Sequence, residues 1–474
     1  MTPHIPVLRN GQSYESAEGI ELRHHAKGEV MATVSQANSG MIARDVHRMD
    51  DTVLERFTVT ELMARCRKAA DLFGNASLPL GEAAQTFDDY VRQLSATTGM
   101  PVTYCRNNAA KVQKVLADME TVVRGLTRGF DLGVLDAGYG MHQGGMLSYF
   151  RVGRIFGAVL PSNSPGVHSL WVPAVALKAP IVLKPGREEP WTPFRVIQAL
   201  IAAGLPREAF GFYPTDHAGA AELLRSVHRS MLFGDTNTTK PWANDPRVQL
   251  HGPGFSKVLL GDDTADEWEK YLGVMESSIS ANGGRSCINA SAVWTPRHGR
   301  AIADALAERL SKTVALPAHD LKATIAAFAN PAVAEGISKV IDHGLREPGA
   351  VDLTEVHRAS SRLVRIGRCA YLLPTIVWCE STEHPLANRE FLFPYASVVE
   401  CPVERMSEAI GPTLVVSAIT KDRALIQALM SSRHVDRLNL GAVETWKLSW
   451  DQPHEGNLFE HLYRQRAFQI EPAA

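Results

Sequence analysis

Two short apolar runs, Ile155-Phe156-Gly157-Ala158-Val159-Leu160 and Ile181-Val182-Leu183, constrain the fold of this chain more than any other feature. Neither has a polar face, so as strands they must be covered on both sides, as the strands of a parallel sheet are. Behind them, Pro193 to Ala203 follows a helical period and stops at Gly204-Leu205-Pro206, a glycine exit with a proline after it. Strand and helix in alternation imply a doubly wound α/β domain. The texture returns later, with a helix expected over Arg297 to Leu310, a strand over Leu372 to Trp378 with a proline near its start, and another over Ser397 to Glu400. A chain of 474 residues is expected to hold two or three domains, a second α/β unit among them.

The flanks are less regular. Residues 1–55 are polar and glycine-dotted, with strand-like pieces such as Glu29 to Val34, and are expected to form an irregular or hairpin-containing lead-in. Thr58-Val59-Thr60-Glu61 predicts a capped helix start, followed by Leu62, Cys66, Ala70 and Phe73 at helical spacing. A second helix is expected over Ala109 to Leu126. Lys447 to Ile470 mixes strand-like pieces with charges and is expected to pack across a subunit interface.

Composition removes several functional classes. With 49 Lys plus Arg against 51 Asp plus Glu, the net charge is −2, which gives no electrostatic reason to expect nucleic acid or an anionic membrane as partner. The six cysteines are scattered, with no C-x-x-C pair and no metal-ligand spacing, so reduced thiols, no metal site and a cytoplasmic location are expected. No run approaches the ~18 apolar residues of a membrane span. A small molecule is the expected partner.

In an open α/β sheet ligands sit beyond the carboxyl ends of the strands, so the residues after each apolar run form a set. Asn163 follows the first run on a proline-flanked loop, and Lys184 and Arg187 follow the second. Gly234-Asp235-Thr236 follows Met231-Leu232-Phe233, and His251-Gly252-Pro253-Gly254 comes next. Further on, Gly283-Gly284-Arg285-Ser286-Cys287 places one thiol behind two glycines and a cation. Glycines let backbone and substrate approach closely, and Arg285 is expected to favour the thiolate, the form that attacks a carbonyl carbon. On these residues alone, Cys287 is either a nucleophile or a small buried hydrophobe.

From about Phe156 to Gly441 the chain resembles the aldehyde dehydrogenase superfamily. The likeness rests on Asn163 between prolines, Lys184-Pro185 ahead of Pro190, the Gly204-Leu205-Pro206 helix exit, the segment around Cys287, Leu373-Pro374-Thr375, and Glu390 four residues before Pro394. The resemblance implies a Rossmann-type cofactor domain over 56–140 and 157–252, a second α/β catalytic domain over 253–450, and a small oligomerisation element from 141–156 and 451–474, in a homodimer or homotetramer. It implies that Cys287 attacks an aldehyde, that the Asn163 side chain and the Cys287 N–H hold the oxyanion, and that NAD or NADP takes the hydride, leaving a thioester. Lys184 would bond the adenine-side ribose, Glu390 the nicotinamide-side ribose, and Gly234 and Thr236 would meet the phosphates.

Three departures refine the expectation. Hydrolytic members carry a glutamate base where this chain has His251, which points to the CoA-acylating, acyl-CoA reductase-like branch, with an aldehyde or acyl thioester as substrate. His251, or Glu455 in Pro453-His454-Glu455-Gly456, is the base under the alternative of hydrolysis to a free acid. Arg187 stands where the family places a ribose-binding glutamate and tilts the cofactor towards NADP. Asp235 lies where anions should be met, which leaves open a third alternative, a non-catalytic member of the fold. Trp171, Phe255 and Trp446 are candidate lining residues.

Overall fold

A computed structural model of the protein describes residues 2–471. Two seven-stranded sheets organise it. The first contains β1 (Val7–Arg9), β2 (Gln12–Tyr14), β3 (Phe156–Val159), β4 (Ile181–Lys184), β5 (Phe210–Phe212), β6 (Arg229–Phe233) and β7 (Val248–His251), in the order β7-β6-β3-β4-β5-β1-β2. β3 pairs in parallel with both β4 and β6, while β1 and β2 extend the far edge antiparallel. The chain therefore winds outward from β3 in both directions, and the crevice between the carboxyl ends of β3 and β6 is the switch point where such sheets bind ligands.

The second sheet contains β8 (Lys257–Leu260), β9 (Ala292–Thr295), β10 (Ala350–Asp352), β11 (Thr375–Cys379), β12 (Tyr395–Glu400), β13 (Thr413–Ile419) and β14 (Val435–Leu440), in the order β10-β11-β12-β9-β8-β13-β14. All its pairings are parallel except β10 with β11. The apolar runs become β3 and β4, buried almost throughout. A third, three-stranded sheet joins Tyr463–Gln465, Gly145–Arg151 and Tyr139–His142. No helix among the described residues is long and apolar enough to cross a membrane.

Local expectations meet three corrections. Residues 1–55 hold the expected hairpins, β1 with β2 and Gly19–Arg23 with Val30–Ser35, but β1 and β2 also complete the first sheet, and Ser39–Arg48 is a helix. The helix expected over Ala109 to Leu126 is two, Val102–Ala117 and Met119–Leu126, because Asp118 leaves the helical region at φ −94°, ψ 22°. The strand expected over Leu372 to Trp378 is split, since Pro374 has no N–H for a ladder. Cys369–Leu372 pairs with Leu363–Ile366, and only Thr375–Cys379 enters the main sheet. The capping box at Thr58 and Glu61 is present, opening the helix Val59–Asn75 with Leu62, Cys66, Ala70 and Phe73 buried.

One buried cation ties the helices behind the first sheet together. On the helix Trp191–Ala202, Arg195 donates to the carbonyls of Phe73 (3.0 Å), Ala76 (2.7 Å) and Gln85 (2.8 Å). Its burial pushes the guanidinium pKa down to about 10, opposed by Tyr90 and Asp89, and its donors are satisfied by the three carbonyls. Arg195→Met strands them at ~1–3 kcal/mol each. Urea unfolding followed by circular dichroism should show a loss of ~3 kcal/mol or more, and a loss below ~1 kcal/mol would contradict this account.

Candidate active site

The thiol loop is shaped by its own backbone. Asn282, Gly283 and Gly284 take φ of 54°, 67° and 67°, in the left-handed region, and turn the chain sharply between the helix Leu272–Ser280 and β9. A Cβ on Gly284 would overlap the carbonyl carbon of Phe393 and the nitrogen of Pro394. A Cβ on Gly254 would overlap the Cys287 carbonyl oxygen, which accepts from Ser256 Oγ at 2.8 Å. Asn289 braces the loop by accepting from Ser286 N–H (3.0 Å) and donating to the carbonyls of Ser278 (3.1 Å) and Ala281 (2.9 Å).

A reciprocal pair of bonds joins this loop to the one after β3. Asn163 Nδ2 donates to the Arg285 carbonyl at 2.8 Å, and Arg285 Nε donates to the Asn163 carbonyl at 3.1 Å. Arg285 does not favour the Cys287 thiolate as expected. Its guanidinium is buried towards Asn163 and lies 5.9 Å from the Phe328 ring centroid. Burial pushes the Cys287 thiol well above the ordinary cysteine range, and the charges of Glu455 and Glu390 push it further, while the N–H groups of Cys287 and Ile288 oppose them. The thiol therefore rests protonated, and its activation needs a base.

A histidine lies across the same cavity. His251, the last residue of β7, bonds through Nδ1 to a Glu455 carboxylate oxygen and stacks on Phe233 at 4.4 Å between centroids. Its Nε2 is buried without a partner. Glu390 accepts from the N–H groups of Gly254 (2.9 Å) and Phe255 (2.7 Å), and burial raises its pKa to about 8 in spite of those donors. Asn163, Gly234, His251, Cys287 and Glu390 all line one cavity of about 640 Å³, at the switch point of the first sheet.

The remaining candidates lie elsewhere. Lys184 ends β4 half-buried; burial lowers its pKa, and the carboxylates of Glu188 and Asp216 raise it. Arg187 and Thr236 are exposed and outside the cavity lining. Asp235, by contrast, lines the cavity beside Gly234, its carboxylate accepting from Thr238 N–H (2.8 Å) and Oγ1 (2.7 Å) of its own short helix, and these bonds hold its carboxyl below the ordinary range. Sequence reasoning missed Phe233, Glu188 and Asp216. Glu188 is one residue beyond the expected ribose-binding position, so a one-residue slip was the available signal.

On its other side Cys287 borders a narrow passage of about 60 Å³, shared with Leu170, Phe233, Trp450 and Glu455. Trp446 lines the wider chamber beyond it, whereas Trp171 is fully buried and Phe255 lines neither space. The sequence profile of the aldehyde dehydrogenase family matches residues 12–413. A Staphylococcus aureus protein named as an aldehyde dehydrogenase is 25% identical over 310 residues, covering 60% of this chain and 59% of that relative's length. Betaine aldehyde dehydrogenase of Vibrio vulnificus is 23% identical over 405 residues, covering 81% and 77%. An NAD-dependent aldehyde dehydrogenase from Sinorhizobium meliloti superposes with a TM-score of 0.79 at 17% identity, covering 100% of this chain and 96% of that one.

The electrostatics of the thiol predict its reactivity. Alkylation of Cys287 by iodoacetamide should be slow at pH 7 and rise steeply above pH 9, in the direction that the raised pKa requires. Removing a nearby negative charge lowers that pKa, so Glu455→Gln should accelerate labelling at pH 8 more than Glu390→Gln does. Equal rates in all three proteins would refute the assignment.

Proposed function

Because this chain belongs to the aldehyde dehydrogenase family, we propose that it oxidises an aldehyde with Cys287 as nucleophile and a nicotinamide dinucleotide as oxidant. The observation that carries this reading is the convergence of Cys287, Asn163, His251 and Glu390 on one cavity at the switch point of a parallel sheet. The cavity suits the nicotinamide half of a dinucleotide, with Glu390 to hold one ribose and Lys184 the other, and the Asp235 carboxylate at its wall is engaged by Thr238. Bound there, the dinucleotide supplies the hydride acceptor.

The chain's own part is nucleophilic and electrostatic. Cys287 Sγ bonds to the aldehyde carbon as the carbonyl π pair moves onto oxygen. Asn163 Nδ2, with one hydrogen on the Arg285 carbonyl, has a second for that oxygen, and the Cys287 N–H is the other donor. The thiol proton passes to the unpartnered His251 Nε2, whose tautomer is set by Glu455 at Nδ1. After oxidation the acyl group is held on Sγ as a thioester.

The acyl acceptor is then water, and the His251–Glu455 pair supports this reading over the CoA-linked one that the sequence favours. Once the thiol proton has passed from His251 to solvent, the histidine, oriented by its carboxylate partner, takes a proton from water at Nε2 much as a glutamate would. The second reading, transfer to coenzyme A, rests on the lack of a carboxylate at position 251 and the following Gly-Pro-Gly turn. The cofactor reading also moves to NAD: a 2′-phosphate near Lys184 would face Glu188 and Asp216, while Arg187 lies outside the cavity lining. Tyr139, Met141 and Met146, exposed on the three-stranded sheet, support a homo-oligomer.

Absorbance assays over an aldehyde panel test the reading. Free acid should form without CoA, and NAD should exceed NADP at least ~10-fold in kcat/KM, worth ~1.4 kcal/mol. Cys287→Ala should abolish turnover. His251→Asn should lower kcat ~10²–10⁴-fold and let the acyl-enzyme accumulate, visible as added mass on the intact protein. A strict requirement for CoA would select the second reading.

A further inference from the structure

Beyond the narrow passage at Cys287 the molecule opens into a wider chamber of about 370 Å³. One wall of it is the helix Val102–Ala117, where Tyr104, Asn107, Asn108 and Lys111 recur at positions i, i+3, i+4 and i+7, a single stripe. Asn108 and Lys111 border both the chamber and the passage, so a substrate with its carbonyl at Cys287 lays its tail past them. Asn108 is fixed: its Nδ2 donates to the Tyr104 carbonyl and to Asn282 Oδ1, both at 2.8 Å, and its Oδ1 accepts from Ser164. Asn108 is thereby tied to the thiol loop itself.

Lys111 is different. Its stem lies along Gly166, three residues from Asn163, and among the described residues Lys111 is the one cationic side chain lining both the chamber and the passage. Glu455, the one carboxylate lining the passage, is engaged by His251. Among the described residues no carboxylate raises the Lys111 pKa, and burial alone lowers it. A partly dried cation without a counter-ion is costly unless a ligand supplies the charge.

We propose that Lys111 is a specificity residue that binds an oxyanion on the tail of the substrate, making the preferred substrate an aldehyde with a carboxylate at its far end. This rests on the dehydrogenase reading for its chemistry, though the anion subsite does not. The same lysine would also suit a phosphate of coenzyme A entering through the chamber, so the test separates the two sources.

The series from 4-oxobutanoate to 8-oxooctanoate is assayed against alkanals of equal length, with NAD, in wild type, Lys111→Met, Lys111→Gln and Lys111→Arg. At the fitting chain length kcat/KM should favour the acid by ~10-fold or more. That ratio should collapse in the Met and Gln variants through KM for the acid, and Arg should restore it. Titration calorimetry with dicarboxylates of matching length, which cannot react, should show binding weakened in the same variants. No acid preference at any length, or one unchanged in Lys111→Met and Lys111→Gln, overturns the proposal. A Lys111-dependent KM for CoA without acid preference also overturns it, assigning the lysine to the coenzyme. Lys111-dependent dicarboxylate binding in a protein that oxidises no aldehyde sustains the subsite and sinks the dehydrogenase reading instead.

Discussion

Two hydrogen bonds exchanged between Asn163 and Arg285 hold the site in register. One loop belongs to the first sheet and the other leads into the second, so Asn163 and Cys287 come from units with separate cores. Neither strand order nor helix packing sets their relative position to the fraction of an ångström that chemistry needs. The exchange does, because each residue gives a side-chain donor to the other's carbonyl. Arg285 accepts burial and a lowered pKa, to about 10, to fill this place, and Gly284 and Gly254 are glycines because the backbone is crowded on either side of it.

The drying of the site follows from this closure and sets its chemistry. Burial and two nearby carboxylates disfavour the Cys287 thiolate, and a protonated thiol reacts slowly with oxidants and alkylating agents. His251 is pinned between the Phe233 ring and Glu455 with one nitrogen left open.

Much of this was legible in the sequence, for a definite reason. In a doubly wound sheet the functional loops are those following apolar strands, so Asn163, Gly234, His251 and Cys287 could be gathered without knowing any distance. What could not be read depended on where side chains turn. Arg285 sits two residues from the thiol yet faces Asn163, Asp235 faces its own helix, and Arg187 points outward while Glu188 lies near Lys184. The Leu372–Trp378 run looked continuous because apolar character outweighed the missing N–H of Pro374 in the pattern. The stripe from Tyr104 to Lys111 is visible as a period, but which surface it faces is a property of tertiary packing.

The carboxylate bonded to His251 and the small third sheet are neighbours in sequence: Glu455 precedes by eight residues the strand Tyr463–Gln465, which pairs with Gly145–Arg151. Synthesis runs from the amino terminus, so every other site residue emerges before Glu455 does. A nascent chain therefore carries its thiol loop before the carboxylate that bonds His251. Only once the segment bearing Glu455 has docked does His251 gain that partner.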